Sequence, residues 1–223
     1  MSKAVLCGIT GLIGSSLAPQ LTKFYDKVTA PVRREHLSNN EKIEIIQCEY
    51  PELKHHPEIF RGASTVFYCL GTTQKRAGSS AKFREIEWQL ANQVIEECFN
   101  HQIPQLVLLS SKGADARSLF PYLKVKGDIE RLARSKNFTS LIIARPSLLM
   151  GERAESRFLE GLSIRALSPI LAPLQKYCPS QAPIRDYELA LALAKSSQQH
   201  KKGTKVLENS DLLKLSHETP LLT

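Results

Sequence analysis

The sequence predicts an α/β fold: a doubly wound parallel sheet with a small C-terminal cap. Three observations carry that reading. Short apolar runs alternate with helical patterns over the first two thirds of the chain. The first run leads directly into three glycines, Gly8, Gly11 and Gly14, with two residues between each and the next. The chain has 223 residues, enough for one domain to bury its own core without disulfides or metal.

In chain order, residues 4–7, 28–32, 43–46, 65–70, 106–109 and 141–144 are short and apolar without alternation, the pattern of strands covered on both faces. Residues 12–24, 82–99 and 119–134 place apolar side chains at helical spacing, and residues 57–61 read as a shorter helix. Strand–helix alternation with right-handed crossovers brings every strand C-terminus, and any ligand, to one edge. After Pro146 the alternation weakens. Residues 159–167 and 184–196 read as helices, with Pro169, Pro173, Pro179 and Pro183 punctuating the loop between them. The expectation is one domain over residues 1–223, with residues 147–223 as its smaller cap on the substrate side.

Composition sets bounds on function. With 42% hydrophobic and 23% charged residues, the chain is neither disordered, collagen-like nor membrane-spanning. A net charge of +8 suits an anionic ligand. The basic residues are scattered, tight only at Arg33-Arg34 and Lys201-Lys202, with no aromatic–basic platform for nucleic acid. The five cysteines form no C-x-x-C pair and no ligand spacing with histidine, so they read as reduced thiols and no metal is expected. The first strand begins at once, which leaves no room for a signal peptide and predicts a cytoplasmic protein.

The glycines sit at a strand-to-helix turn. Gly8 permits an unusual φ, Gly11 lets a pyrophosphate approach the backbone, and Gly14 lets the helix pack on the strand. Thr10, Leu12 and Ile13 complete a helix N-terminus whose N–H groups and partial positive charge suit phosphate. The second strand ends Pro31-Val32-Arg33-Arg34, without the acid that reads a ribose 2′-hydroxyl. Two guanidiniums there suit a 2′-phosphate, so NADP(H) is the expected cofactor. Leu70, Gly71 and Thr72 follow the fourth strand and should touch the adenosine half.

Tyr122 and Lys126 lie four residues apart, on one face of a helix. The ammonium would favour the phenolate, so that Tyr122 could give a proton to a developing alkoxide or take it back. The spacing alone is unspecific, because Tyr50 and Lys54 repeat it. Position separates the two pairs. Tyr50 is followed by Pro51, far from the switch point, whereas Ser110 and Ser111 close a buried strand upstream of Tyr122, where one hydroxyl could donate to a substrate oxygen.

Together these motifs resemble the short-chain dehydrogenase/reductase superfamily. Cys69-Leu70-Gly71-Thr72-Thr73, the run Leu109 to Asp115, Tyr122 to Gly127, Ala144-Arg145-Pro146 and Glu155-Ser156-Arg157 are similar, more narrowly, to the atypical members related to the Tat-interacting protein oxidoreductase. The resemblance runs from about residue 3 to about residue 210. It implies a Rossmann fold, NADPH, Tyr122 as proton donor with Lys126 beside it, and a cofactor site lined by Gly11, Arg33, Arg34, Leu70, Gly71, Leu149 and Arg157. The chain departs at Ile9, where alanine is usual, at Glu49, usually aspartate, and at Ser147, usually glycine.

The leading expectation is an NADPH-dependent oxidoreductase acting on a small carbonyl substrate. The alternative is a non-catalytic module that senses NADPH and binds a protein partner; it needs the glycines and arginines but not Tyr122. A nucleotide-sugar epimerase is disfavoured, since 223 − 122 = 101 residues after Tyr122 leave little for its substrate domain.

Overall fold

The computed structural model describes residues 2–72, 74–150, 178–199 and 202–218. The apolar runs become strands β1 (Lys3–Cys7), β2 (Lys27–Val32), β3 (Ile43–Gln47), β4 (Ala63–Tyr68), β5 (Gln105–Leu109) and β6 (Ser140–Arg145). A short pair follows, β7 (Leu149–Met150) and β8 (Ile184–Arg185), and then β9 (Gly203–Glu208). The main sheet has the order β3-β2-β1-β4-β5-β6-β9 with every pairing parallel, while β7 pairs only with β8. This is the doubly wound Rossmann-type arrangement, with its switch point between β1 and β4.

Seven helices accompany the strands among the described residues: α1 (Leu12–Leu21), α2 (Pro57–Phe60), α3 (Gln74–Ala77), α4 (Ser80–Asn100), α5 (Pro121–Ser135), α6 (Asp186–Gln199) and α7 (Asn209–His217). Residues Tyr50–His55 form a 3-10 turn. Strand residues alternate between two cores. Ala4, Leu6, Val28, Phe67, Val107 and Ile142 pack under α1, α6 and α7. Val5, Val66, Tyr68, Leu106, Leu108 and Ile143 pack under α4 and α5. Apolar runs without alternation follow from that two-sided burial in β1, β4, β5 and β6.

Helix boundaries follow local chemistry. Ser79 caps α4, its Oγ accepting from the Lys82 N–H at 3.1 Å, which starts the helix two residues before residue 82. Pro121 starts α5, where a missing N–H costs nothing, leaving Leu119 and Phe120 outside and exposed. The expected helix over 184–196 begins two residues later, after β8.

The C-terminal part differs more. Strand β9 and helix α7 were not anticipated, and β9 joins the main sheet rather than a cap. Its sequence, Gly203-Thr-Lys-Val-Leu-Glu, has an exposed first half, as an edge strand does, so it carries no two-faced apolar signal. The expected helix over 159–167 lies outside the described residues. No helix among the described residues is long and apolar enough to cross a membrane.

Candidate nucleotide-binding and catalytic site

Because the sheet is parallel, the exits of β1, β2, β4, β5 and β6 share one edge, and the glycine turn, Arg33-Arg34, Leu70–Thr72 and Ser110-Ser111 follow those strands there. The glycine turn is its most constrained part. Gly8 has φ +103°, and a Cβ there would stand 2.8 Å from the Cys69 carbonyl oxygen. A Cβ on Gly14 would overlap the Gly8 carbonyl, so glycine is what lets α1 begin directly over the turn. Gly11 meets only the Gly8 oxygen, at 3.1 Å, and its N–H closes the turn onto that oxygen at 2.9 Å.

A dinucleotide phosphate fits this turn: the first helical N–H groups are there, and no acidic residue occupies the first turn of α1. Thr10 is exposed and Leu12 half-buried, whereas the Ile13 side chain is buried in the core, so Ile13 faces a ligand only through its backbone. Ile9, the residue bulkier than the family norm, is also in that core, away from the mouth of the turn.

Arg33 and Arg34 follow β2, both exposed. Tyr50 is buried beneath them; its hydroxyl donates to the Pro31 carbonyl at 3.4 Å. Burial pushes its phenol well above the ordinary tyrosine range, opposed by the Arg33 charge and by the Gly8 backbone. Lys54 is exposed, so the Tyr50/Lys54 spacing is a buried packing residue and a solvated lysine on one 3-10 turn.

Leu70 and Thr72 are half-buried and Gly71 is exposed after β4. The Thr72 N–H is already engaged, donating to Glu87 Oε1 at 2.5 Å. The same carboxylate receives Lys126 Nζ at 2.8 Å through Oε2. Glu87 and Lys126 are 1% and 6% exposed, a buried ion pair. Burial by itself would lower the Lys126 pKa; Glu87, and to a lesser degree Tyr122 and Cys69, outweigh it, and the net shift is upward. Tyr122 is 43% exposed. Its ring stacks on buried Phe83 at 5.9 Å, and Lys126 Nζ lies 6.0 Å from its centroid.

The two serines separate. Ser110 is buried and donates to Glu130 Oε1 at 2.6 Å. Glu130 also holds Arg145, by Nε at 2.9 Å and Nη2 at 2.6 Å, and Arg145 reaches Glu208 at 3.3 Å. Ser111 is half-exposed, with a long 3.4 Å bond to the Lys112 carbonyl. Gly127 lets the loop after Ser111 lie on α5, since a Cβ there would overlap Ala116 N and the Asp115 carbonyl carbon. Leu149 is half-buried in β7 and packs against the α1-side core. Arg157 lies outside the described residues.

Sequence reading missed Glu87, Phe83 and Glu130, and met Gly127 only as part of a family motif. Charged residues within a helix read as surface, and only the facing element shows that Glu87 and Glu130 are buried against partners.

Residues 8–163 match a family described as NAD(P)H-binding. The mitochondrial Protein FMP52-1 of Scheffersomyces stipitis is 33% identical over 171 residues, covering 74% of this chain and 75% of that protein. Protein HTATIP2 of Rattus norvegicus is 32% identical over 165 residues, covering 71% and 67%. Among solved structures, MoeE5 in complex with UDP-glucose and NAD superposes with a TM-score of 0.69 at 18% identity, covering 92% of this chain and 75% of that one. UDP-glucose 4-epimerase from Bifidobacterium longum gives 0.68 at 13% identity, covering 92% and 77%. At such identities the likeness is one of fold. The fungal relatives are named as mitochondrial proteins, which overturns the expectation of a cytoplasmic protein: an early first strand is no guide to compartment.

Proposed function

The chain belongs to the NAD(P)H-binding family and is related to the atypical short-chain dehydrogenase/reductases; on that premise we propose that it is an NADPH-dependent oxidoreductase reducing a small carbonyl compound. The observation that carries this reading is the shared edge: a glycine turn shaped for phosphate and a half-exposed Tyr122 beside a buried Lys126.

In this reading the N-terminus of α1 holds the pyrophosphate and Arg33 with Arg34 pair with a ribose 2′-phosphate. When bound, the nicotinamide supplies the hydride. Tyr122 donates its phenolic proton to the carbonyl oxygen as charge develops there, and Ser111, the serine whose hydroxyl is not committed to Glu130, steadies that oxygen. Phe83 fixes the plane of the Tyr122 ring.

The test is NADPH consumption by the purified protein across a panel of small aldehydes and ketones. Tyr122→Phe should keep NADPH affinity within about two-fold and lower turnover by about 10²–10⁴, the worth of a positioned acid. Tyr50→Phe should leave turnover within a few-fold. NADPH binding without reduction of any carbonyl, or full activity in Tyr122→Phe, overturns the enzymatic reading in favour of a cofactor-sensing module.

A further inference from the structure

Two helices meet the reaction edge in register. On α5, Tyr122 and Lys126 are one turn apart; on α4, Phe83 and Glu87 are one turn apart. Phe83 stacks on Tyr122 while Glu87 binds Lys126, so the four side chains form a closed rectangle. We propose that Glu87 is a positioning residue: it fixes Lys126 Nζ beside the Tyr122 ring and, by neutralising that ammonium, sets how strongly the phenol is drawn toward its ionised form. The proposal rests on the reading of Tyr122 as the proton-transferring group.

The geometry makes Glu87 specific to this task. One carboxylate oxygen is used by the Thr72 N–H and the other by Lys126 Nζ, so the group cannot rotate away without losing both bonds. A lone ammonium 6.0 Å from the ring centroid would favour phenolate; a carboxylate 2.8 Å from that ammonium leaves a pair with little net charge. Among the described residues, titratable groups of β4 and its exit also act on this pair. Cys69 acts on Lys126, and Tyr68 is affected by Glu87, with Cys7 of β1 and Tyr50 of the 3-10 turn behind it. Burial keeps these thiols and phenols neutral near pH 7, so they add no charge beside the Glu87–Lys126 ion pair.

The experiment titrates Tyr122 itself, by phenolate ultraviolet absorbance of the full-length protein. Each variant is read against the same variant carrying Tyr122→Phe. Glu87→Gln keeps an oxygen for the Thr72 N–H and removes only the charge; the Tyr122 midpoint should fall by about one pH unit. Lys126→Met should raise it by about as much, and the double variant should return it close to that of the unmodified protein. An unchanged midpoint in Glu87→Gln, or single variants that both shift it in one direction as a packing defect would, overturns the proposal. Should Glu87→Gln fail to fold with its unpaired lysine, the comparison of Lys126→Met with the double variant decides: removing Glu87 must lower the midpoint there, and no change overturns the proposal. The readout is the phenol, so failure here is distinct from an absence of carbonyl reduction.

Discussion

Ser110 donates its hydroxyl proton to Glu130 Oε1 at 2.6 Å, and the same Glu130 clamps Arg145 with both oxygens. The strand-end serine is thereby bound into a buried network that ties β5, α5 and β6 together and extends through Glu208 to β9. The neighbouring Ser111 carries no such commitment to a carboxylate.

Two serine variants should therefore behave oppositely. Ser110→Ala removes a buried hydrogen bond to a carboxylate and should cost about 1–3 kcal/mol of stability. Ser111→Ala should leave the thermal midpoint within about 2 °C, since a surface change away from such networks moves stability by less than about 0.5 kcal/mol. It should instead lower turnover by about ten-fold or more, as removal of a substrate-oxygen donor does. Thermal melts and turnover measured on both variants check this; the reverse pattern would assign the donor to Ser110.

Arg33 and Arg34 are exposed directly after β2, at the position where an acid would read a ribose hydroxyl. Replacing both by alanine should weaken NADPH binding by about 2–4 kcal/mol while leaving NADH nearly unaffected. Fluorescence titration with the two nucleotides measures the difference; equal loss for both would mean the arginines do not read the 2′-phosphate.

Gly14 and Gly127 hold two close approaches on the same edge. Gly14→Ala drives a methyl into the Gly8 carbonyl, and Gly127→Ala drives one into the Asp115–Ala116 backbone. Both should destabilise by about 1–3 kcal/mol or more, since backbone cannot yield as a side chain does. Gly14→Ala should also abolish NADPH binding, and denaturant unfolding with a binding titration distinguishes the two sites.

Burial lifts the Cys69 thiol to about 12 and the Cys48 thiol to about 11, from an ordinary value of 9.0. A folded pKa above the unfolded one gives stability that is whole below the unfolded value and lost as pH rises toward the folded one. Melting temperature should thus hold up to about pH 9 and fall between about pH 9 and 11. Cys178 is exposed and should alkylate at neutral pH well before the buried Cys7, Cys48 and Cys98, as mass spectrometry of iodoacetamide-treated protein would show.

The sequence by itself determined six of the sheet's seven strands and the glycine turn. Strands buried on both faces must be apolar throughout, as residues 4–7 and 141–144 are, and a helix that begins over its own strand admits nothing larger than glycine at residue 14. It also set Tyr122 apart from Tyr50 as the candidate, because a proline after Tyr50 and a strand-end serine before Tyr122 are local facts.

Tertiary structure alone decided the rest. An edge strand such as β9 is half solvated and spells no apolar run, so it becomes visible only when it pairs with β6. Glu87 and Glu130 look like ordinary helix-surface acids until a facing helix and a neighbouring strand bring Lys126, Ser110 and Arg145 within hydrogen-bond reach. The physical reason is range. Backbone conformation and two-sided burial are written in neighbouring residues, whereas the charge state and aim of a buried side chain depend on groups tens of residues away, which only packing brings to it.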